Sequence, residues 1–328
     1  MNTTTLKYLT AVLIWLIPII SIAQTPLADT DRKQLDATFA WFSKNRFYGT
    51  DANFKARWER SKVLDKYGFQ LSDTIWNAYR SAWIKDPPKV DELEQGNGIL
   101  YYLRKAIDKT VADIRSTKVK KGAVIWKLYN MGYVVKTKDV CFGMDLNQPG
   151  AEKLVDVLDF VTVSHIHGDH NYTALLDAMI AAGKPVYTPF YKKGVMITSP
   201  QEYTHGEVKL RLTMNRQADV PCIVVQADLG SSARNYTIYH IGDSRTLEDL
   251  NPGRHINLFI LHIENAIDVF NSVSRVKPDV TIYDHIMELG HHVNKWRWSY
   301  QYTYHKIKGL SPAKCVVLTW GERMEVGK

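Results

Sequence analysis

The rhythm of apolar positions changes once along the chain, and that change divides it. From Asp29 to about Thr117, hydrophobic residues recur at three- and four-residue steps: Leu35, Phe39 and Phe42, then Ile99, Tyr102, Leu103, Ile107, Val111 and Ile114. That spacing lines one face of successive helices. Asp73, before Thr74-Ile75-Trp76, reads as a capped helix start, and Asp86-Pro87-Pro88 breaks the chain before the next long helix. Trp41, Trp58, Trp76 and Trp83 fall here at helical spacing, which marks them as packing residues, with a substrate lid or dimer face as the minority reading. From Lys121 the pattern is that of strands. Segments 123–128 and 133–136 flank a turn at Asn130-Met131-Gly132; 140–146 is a third strand with Asp145 near its end, and 155–164 contains a fourth. Segment 172–182 reads as a helix closed by Gly183 and Pro185. Further strands are expected at 208–212, 222–227, 237–241, 258–263, 280–283 and 316–319. Strands with interspersed helices indicate a layered α/β domain, and no internal repeat suggests another plan.

The first two dozen residues stand apart. Lys7 gives a weakly basic start, 9–20 is nearly all apolar, and Ser21-Ile22-Ala23 places small residues at −3 and −1 before Gln24. This is the pattern of a secretory signal peptide over 1–23, and the apolar run is short for a spanning helix; an uncleaved anchor is the alternative. The mature chain is expected to start near Gln24, to carry no stable membrane span, and to work in the periplasm or outside the cell. It then divides into a helical extension, 24–118, and an α/β catalytic domain, 119–328. The 328 residues, 45% hydrophobic, suffice for a buried core without disulfide or metal staples. Cys141, Cys222 and Cys315 are far apart and lack Cys-x-x-Cys spacing, which argues against a zinc ribbon or disulfide framework. The net charge of +8, one unit of it from Lys7, suits an anionic small-molecule substrate or an envelope surface, and a scattered positive surface explains it equally well. No basic stripe points to nucleic acid as a partner.

The chemistry gathers at a strand end. Val161-Thr162-Val163-Ser164 leads into His165-Ile166-His167-Gly168-Asp169-His170, four potential ligands within six residues. Imidazole and carboxylate are the ligands of zinc and similar divalent metals. His165 and His167, two apart, can turn to one metal, while Asp169 and His170 face a second. Gly168 is expected to permit the tight course between the two pairs.

This hexapeptide resembles the signature of the metallo-β-lactamase superfamily, His-x-His-x-Asp-His after a strand. Met144-Asp145-Leu146 is similar to that family's early strand ending in Asp, and Tyr239-His240-Ile241-Gly242-Asp243 to its strand ending in Gly-Asp, whose carboxylate bridges two metals. Asp284-His285 resembles the last metal histidine. The resemblance covers Lys121 to the C-terminus. It implies an αββα sandwich, two packed sheets flanked by helices, with the helical extension outside the common fold. It also implies two divalent metal ions, zinc or else manganese or iron, held by His165, His167, Asp169, His170, Asp243 and His285.

One ligand of the family pattern is missing. The segment 210–216, where another histidine is expected, has Asn215 instead; His205 precedes this strand and reads as a surface loop residue. Glu288 and His292 share a face with His285 if that stretch is helical, and either could substitute, orient a ligand or bind substrate. The first metal position then has three protein ligands, or is weak, or belongs to a non-catalytic relative. The implied reaction is hydrolysis of an ester, lactone, thioester or phosphodiester by a metal-bound hydroxide, with Asp169 orienting the nucleophile or handling its proton. A bridging Asp243 ranks β-lactam hydrolysis lower, because the family's true β-lactamases generally lack that carboxylate. A catalytically impaired binding protein of the same fold is the other class of reading.

Overall fold

A computed structural model describes residues 25–328, apart from 48 and 294. The expected signal peptide at 1–23 lies outside the described residues. The first part of the chain is helical: α1 (Asp29–Lys44), α2 (Asp51–Gln70), α3 (Asp73–Ala82), α4 (Pro87–Gly96) and α5 (Gly98–Ser116). Local chemistry sets several starts. The Thr50 hydroxyl accepts from the Asn53 amide, and Asp86 accepts from Lys89 N with prolines in the first turn. The cap of α3 is Ser72, which accepts from Ile75 N; Asp73, read from sequence as the cap, is the first helical residue.

Two seven-stranded mixed sheets follow. The first part contributes β1 (Ala123–Lys127), β2 (Tyr133–Lys136), β3 (Cys141–Met144), β4 (Phe160–Thr162), α6 (Thr173–Ala181), β5 (Val186–Thr188) and β6 (Val195–Met196). The second part contributes β7 (Gln201–His205), β8 (Val208–Gln217), β9 (Val220–Asp228), β10 (Thr237–His240), β11 (Leu258–His262), α7 (Val269–Val276), β12 (Val280–Asp284), α8 (Tyr300–Lys306), β13 (Cys315–Val316) and β14 (Arg323–Val326). One sheet runs β14-β1-β2-β3-β4-β5-β6 and the other β13-β12-β11-β10-β9-β8-β7. The chain end thus returns to pair β14 antiparallel with β1, whereas β10 to β13 run parallel.

Strand residues are apolar on both faces because both faces are covered. On β1, Ile125 meets the opposite sheet in a core with Phe142, Phe160, Val225, Ile260 and Ile282. Its neighbours Val124 and Trp126 point outward into a second core shared with the helices. Trp126 also donates its indole N–H to Asp113 of α5, and Arg57 of α2 forms a buried fork on Glu322 at 2.9 and 2.5 Å. On the far side α7 packs on β11, completing an αββα layering. All three cysteines are buried and free, Cys222 and Cys315 as small apolar residues. Among the described residues, no helix is long and apolar enough to cross a membrane.

Candidate metal centre

Every residue of the cluster stands where a strand has just ended. Asp145 follows β3, the hexapeptide follows β4, Asp243 follows β10, and His285 follows β12. The carboxyl ends of strands in both sheets therefore meet in one crevice, the usual place for ligands in α/β sheets. Gly242 makes the meeting close. Its φ is +51°, and a Cβ there would stand 2.5 Å from the Ser164 side chain, so only glycine brings Asp243 against the hexapeptide. Gly168 has no such role: its φ is not left-handed, and a Cβ would meet only the Arg80 guanidinium at 3.6 Å. The loop is held instead by Asn130 and Asn147, whose amides donate to the Asp169 carbonyl.

Asp145 sets the ring nitrogens. Its carboxylate accepts from Ser164 N at 2.6 Å and Ser164 Oγ at 2.7 Å, and from His170 Nδ1 at 2.7 Å. Because the hydroxyl proton goes to the carboxylate, Ser164 Oγ accepts from His165 Nδ1 at 3.0 Å. Both rings are thereby left with Nε2 facing the crevice, the arrangement that orients metal-binding histidines.

The ligand atoms form two groups that share Asp169: His165, His167 and Asp169, and Asp169, His170, Asp243 and His285. In the first, His165 Nε2 lies 3.1 Å from His167 Nδ1. That is close to the roughly 3.3 Å between two nitrogens on one tetrahedral zinc. In the second, His170 Nε2 is 3.0 Å from Asp243 Oδ1 and His285 Nε2 is 3.1 Å from Asp169 Oδ2. Asp243 stands between the groups, with Oδ2 towards His165 at 3.8 Å and Oδ1 towards His170 and His285. His170 Nε2 and Asp243 Oδ1 are buried without a hydrogen-bond partner. Orphaned polar atoms of this kind are costly, and a divalent cation would satisfy both, so the donor set fits such ions.

Electrostatics follow from the crowding. Burial pushes the His165 imidazole down to about 4, with help from His170, which leaves it a neutral ligand. Burial disfavours the charged forms of His170 and His285, but Asp243 and Asp169 outweigh it and raise both. Asp169 and Asp243 are held well below the usual carboxylate range: burial works against this, but neighbouring imidazoliums prevail, His170 foremost.

The replacements considered for the missing histidine fall elsewhere. The Asn215 amide donates to Thr246 O and accepts from Arg216 N and Thr246 N, tying β8 to the loop after β10. Gln217, two residues on, lines the crevice. His205 sits in a strand rather than a loop, stacked on Phe160 at 4.2 Å and bonded to Tyr187. The stretch after His285 is not helical, with positive φ at His285 and Met287, so the expected common face does not form. His292 turns outward to Asp73, while Glu288 is buried under Tyr129.

Two histidines of the site escaped sequence reading. His262 ends β11 in register with Asp284 and stacks on His285 at 4.0 Å. In the sequence it reads as the tail of the apolar strand 258–263; a polar residue at the same strand end as Asp243 and His285 is the available signal. Its Nδ1 accepts from Glu264 N at 2.8 Å, so Nε2 carries the proton and is a donor, 3.9 Å from Asp243 Oδ1. Burial and His285 keep this ring neutral. His291 is the second. Both line a cavity of about 510 Å³ with Arg245, Lys295, Trp296 and Trp298.

No protein-family model and no curated protein matches the chain. Solved structures do. The metallo-β-lactamase fold protein YhfI of Bacillus subtilis superposes with a TM-score of 0.50 at 16% identity, over 63% of this chain and 100% of its own. A possible metal-dependent hydrolase of Veillonella parvula gives 0.51, also at 16% identity and over the same shares. The chain has the metallo-β-lactamase fold. Within that fold, the hexapeptide loop, Asp243 and His285 occupy the strand ends that the sequence resemblance implied.

Proposed function

We propose that this protein is a metal-dependent hydrolase of an ester, lactone, thioester or phosphodiester, acting in the periplasm or outside the cell. The observation that carries the reading is the pair of ligand groups joined by Asp169 and Asp243 at the floor of one cavity. The fold shared with the possible metal-dependent hydrolase of Veillonella parvula supports it. His165 and His167 would hold one ion; Asp169, His170 and His285 the other; and Asp243 both. Zinc suits this donor set, with manganese and iron as alternatives. Divalent ions bound there would supply an activated water at neutral pH and polarise the scissile group.

The chain's own side chains do the rest. Asp169 orients the attacking water. His262 donates its Nε2 proton as a hydrogen bond to the oxygen on which negative charge develops. Trp296 and Trp298 wall the cavity, and Arg245 and Lys295 favour an anionic small molecule at its mouth. A metal count by mass spectrometry should give about two ions per chain, as in two-metal hydrolases. A panel of nitrophenyl esters, lactones, thioesters and bis-nitrophenyl phosphate should reveal turnover. His167→Ala should abolish it with the circular dichroism spectrum retained; unchanged turnover would sink the reading. His262→Gln should lower kcat about 10²–10³-fold with metal content intact. Fast nitrocefin hydrolysis would instead promote a β-lactam substrate.

The missing histidine favours one other reading, a binding protein that keeps the fold without turnover. A metal count near zero after metal-replete expression would decide for it.

A further inference from the structure

The loop after β12 carries a histidine that nothing in the hexapeptide pattern anticipates. The His291 ring lies against His285, with centroids 5.4 Å apart and planes 22° from parallel. Its Nε2 is 3.7 Å from Asp169 Oδ2, the same oxygen that His285 Nε2 meets at 3.1 Å. On the other side of the ring, Nδ1 is buried and has no hydrogen-bond partner. Facing it at 3.7 Å is Glu288 Oε2, also buried and also without a hydrogen-bond partner. The other oxygen of Glu288 accepts from Tyr129 OH at 2.8 Å. An imidazole and a buried carboxylate thus each lack one partner and face each other. A small ring rotation closes the bond, and Nε2 then points its lone pair at the cluster.

We infer that His291 is a further metal ligand, backed by Glu288, in the carboxylate–histidine–metal arrangement that Asp145 and His170 already display. The inference rests on the metal-centre reading above. It places the added ligand beside Asp169 and His285. The centre is therefore lopsided: the group of Asp169, His170, Asp243 and His285 gains a fifth protein ligand, and His165 and His167 hold the weaker ion.

The loop is built to keep this position. A Cβ on Gly290 would stand 2.8 Å from Trp76 Nε1 and 3.1 Å from both Glu288 carboxylate oxygens, so glycine lets α3 press the loop inward. Buried Arg297 donates to His291 O and Leu289 O, and also to Gly68 O and Leu71 O at the end of α2. The helical layer therefore braces a loop of the site, which gives the extension a role in metal binding. The neighbouring His292 shows the contrast: it is exposed and pairs with Asp73.

The test is a zinc titration of the full mature chain, stripped by chelation, against a competing dye, with cobalt absorption as a second readout. Glu288→Gln should weaken the tighter ion about 10–100-fold, and His291→Ala should do so by at least as much. Both should change the cobalt band intensities. His292→Ala should leave affinity and spectrum as in the wild type. Circular dichroism of the metal-free variants checks folding, and His291→Gln serves if His291→Ala fails it. Wild-type affinity in a folded His291 variant overturns the inference while the metal centre stands. A wild-type chain that takes up neither zinc nor cobalt overturns both.

Discussion

Asp145 illustrates how one buried carboxylate fixes the proton positions of the rings around it. One buried carboxylate receives Ser164 and His170 directly and, through the Ser164 hydroxyl, His165. An amide cannot replace it. In Asp145→Asn, whichever way the amide turns, its NH2 confronts either Ser164 N or the Ser164 hydroxyl and His170 Nδ1. A His170 ring forced to accept at Nδ1 carries its proton on Nε2 and no longer binds metal. Metal affinity is expected to fall about 10–100-fold, measured by chelator competition, with the fold retained; wild-type affinity would count against this. At this scale the sequence was legible where ligands cluster. His165, His167, Asp169 and His170 are contiguous, and Asp243 and His285 end apolar runs. His262 and His291 were not legible, because a single histidine in a strand tail or loop carries no spacing.

Elements were readable in proportion to their length and periodicity. Helices α2 and α5 and the strands with long apolar runs stand out, whereas β5 and β6 span three and two residues, too short for any period to show. β7 and β14 are rich in polar residues, and only their pairing with β8 and β1 makes them strands. α8 depends on tertiary context in another way. Its N-terminal amides at Tyr300 and Gln301 donate to Asp65 of α2, at 2.8 Å each. Burial raises the Asp65 carboxyl from 3.8 to about 6, against the pull of these two donors. The folded chain thus binds a proton that the unfolded chain releases, so stability falls as pH rises from about 4 through about 6. Asp65→Asn lacks this titration. Denaturant unfolding of both proteins should show the wild type losing ground to the variant between pH 4 and pH 7; a constant difference would refute the assignment.

At the scale of the whole molecule, the helical layer and the sandwich share a core. Trp126 and Trp320 pack with Phe39, Tyr102 and Ala106, and Glu322 keeps Arg57 as its buried partner. Residues 119–328 expressed alone would expose that apolar face to water and remove the Arg57 partner of Glu322. The fragment is expected to aggregate and bind a hydrophobic dye; a monomer that unfolds cooperatively would show that the layers are independent. By itself the sequence determined the helix-to-strand change near Lys121, the contiguous candidate ligands of the hexapeptide and the strand-end positions of Asp243 and His285, because each is written in local spacing. Only the tertiary structure decided which residues more than a hundred positions apart face the same space. It brought His285 to Asp169, turned Asn215 away to Thr246, put Gln217 in the cavity wall, and set His291 between Glu288 and the cluster. Those outcomes depend on sheet packing and on the helices that brace the last loop, and no local pattern encodes them.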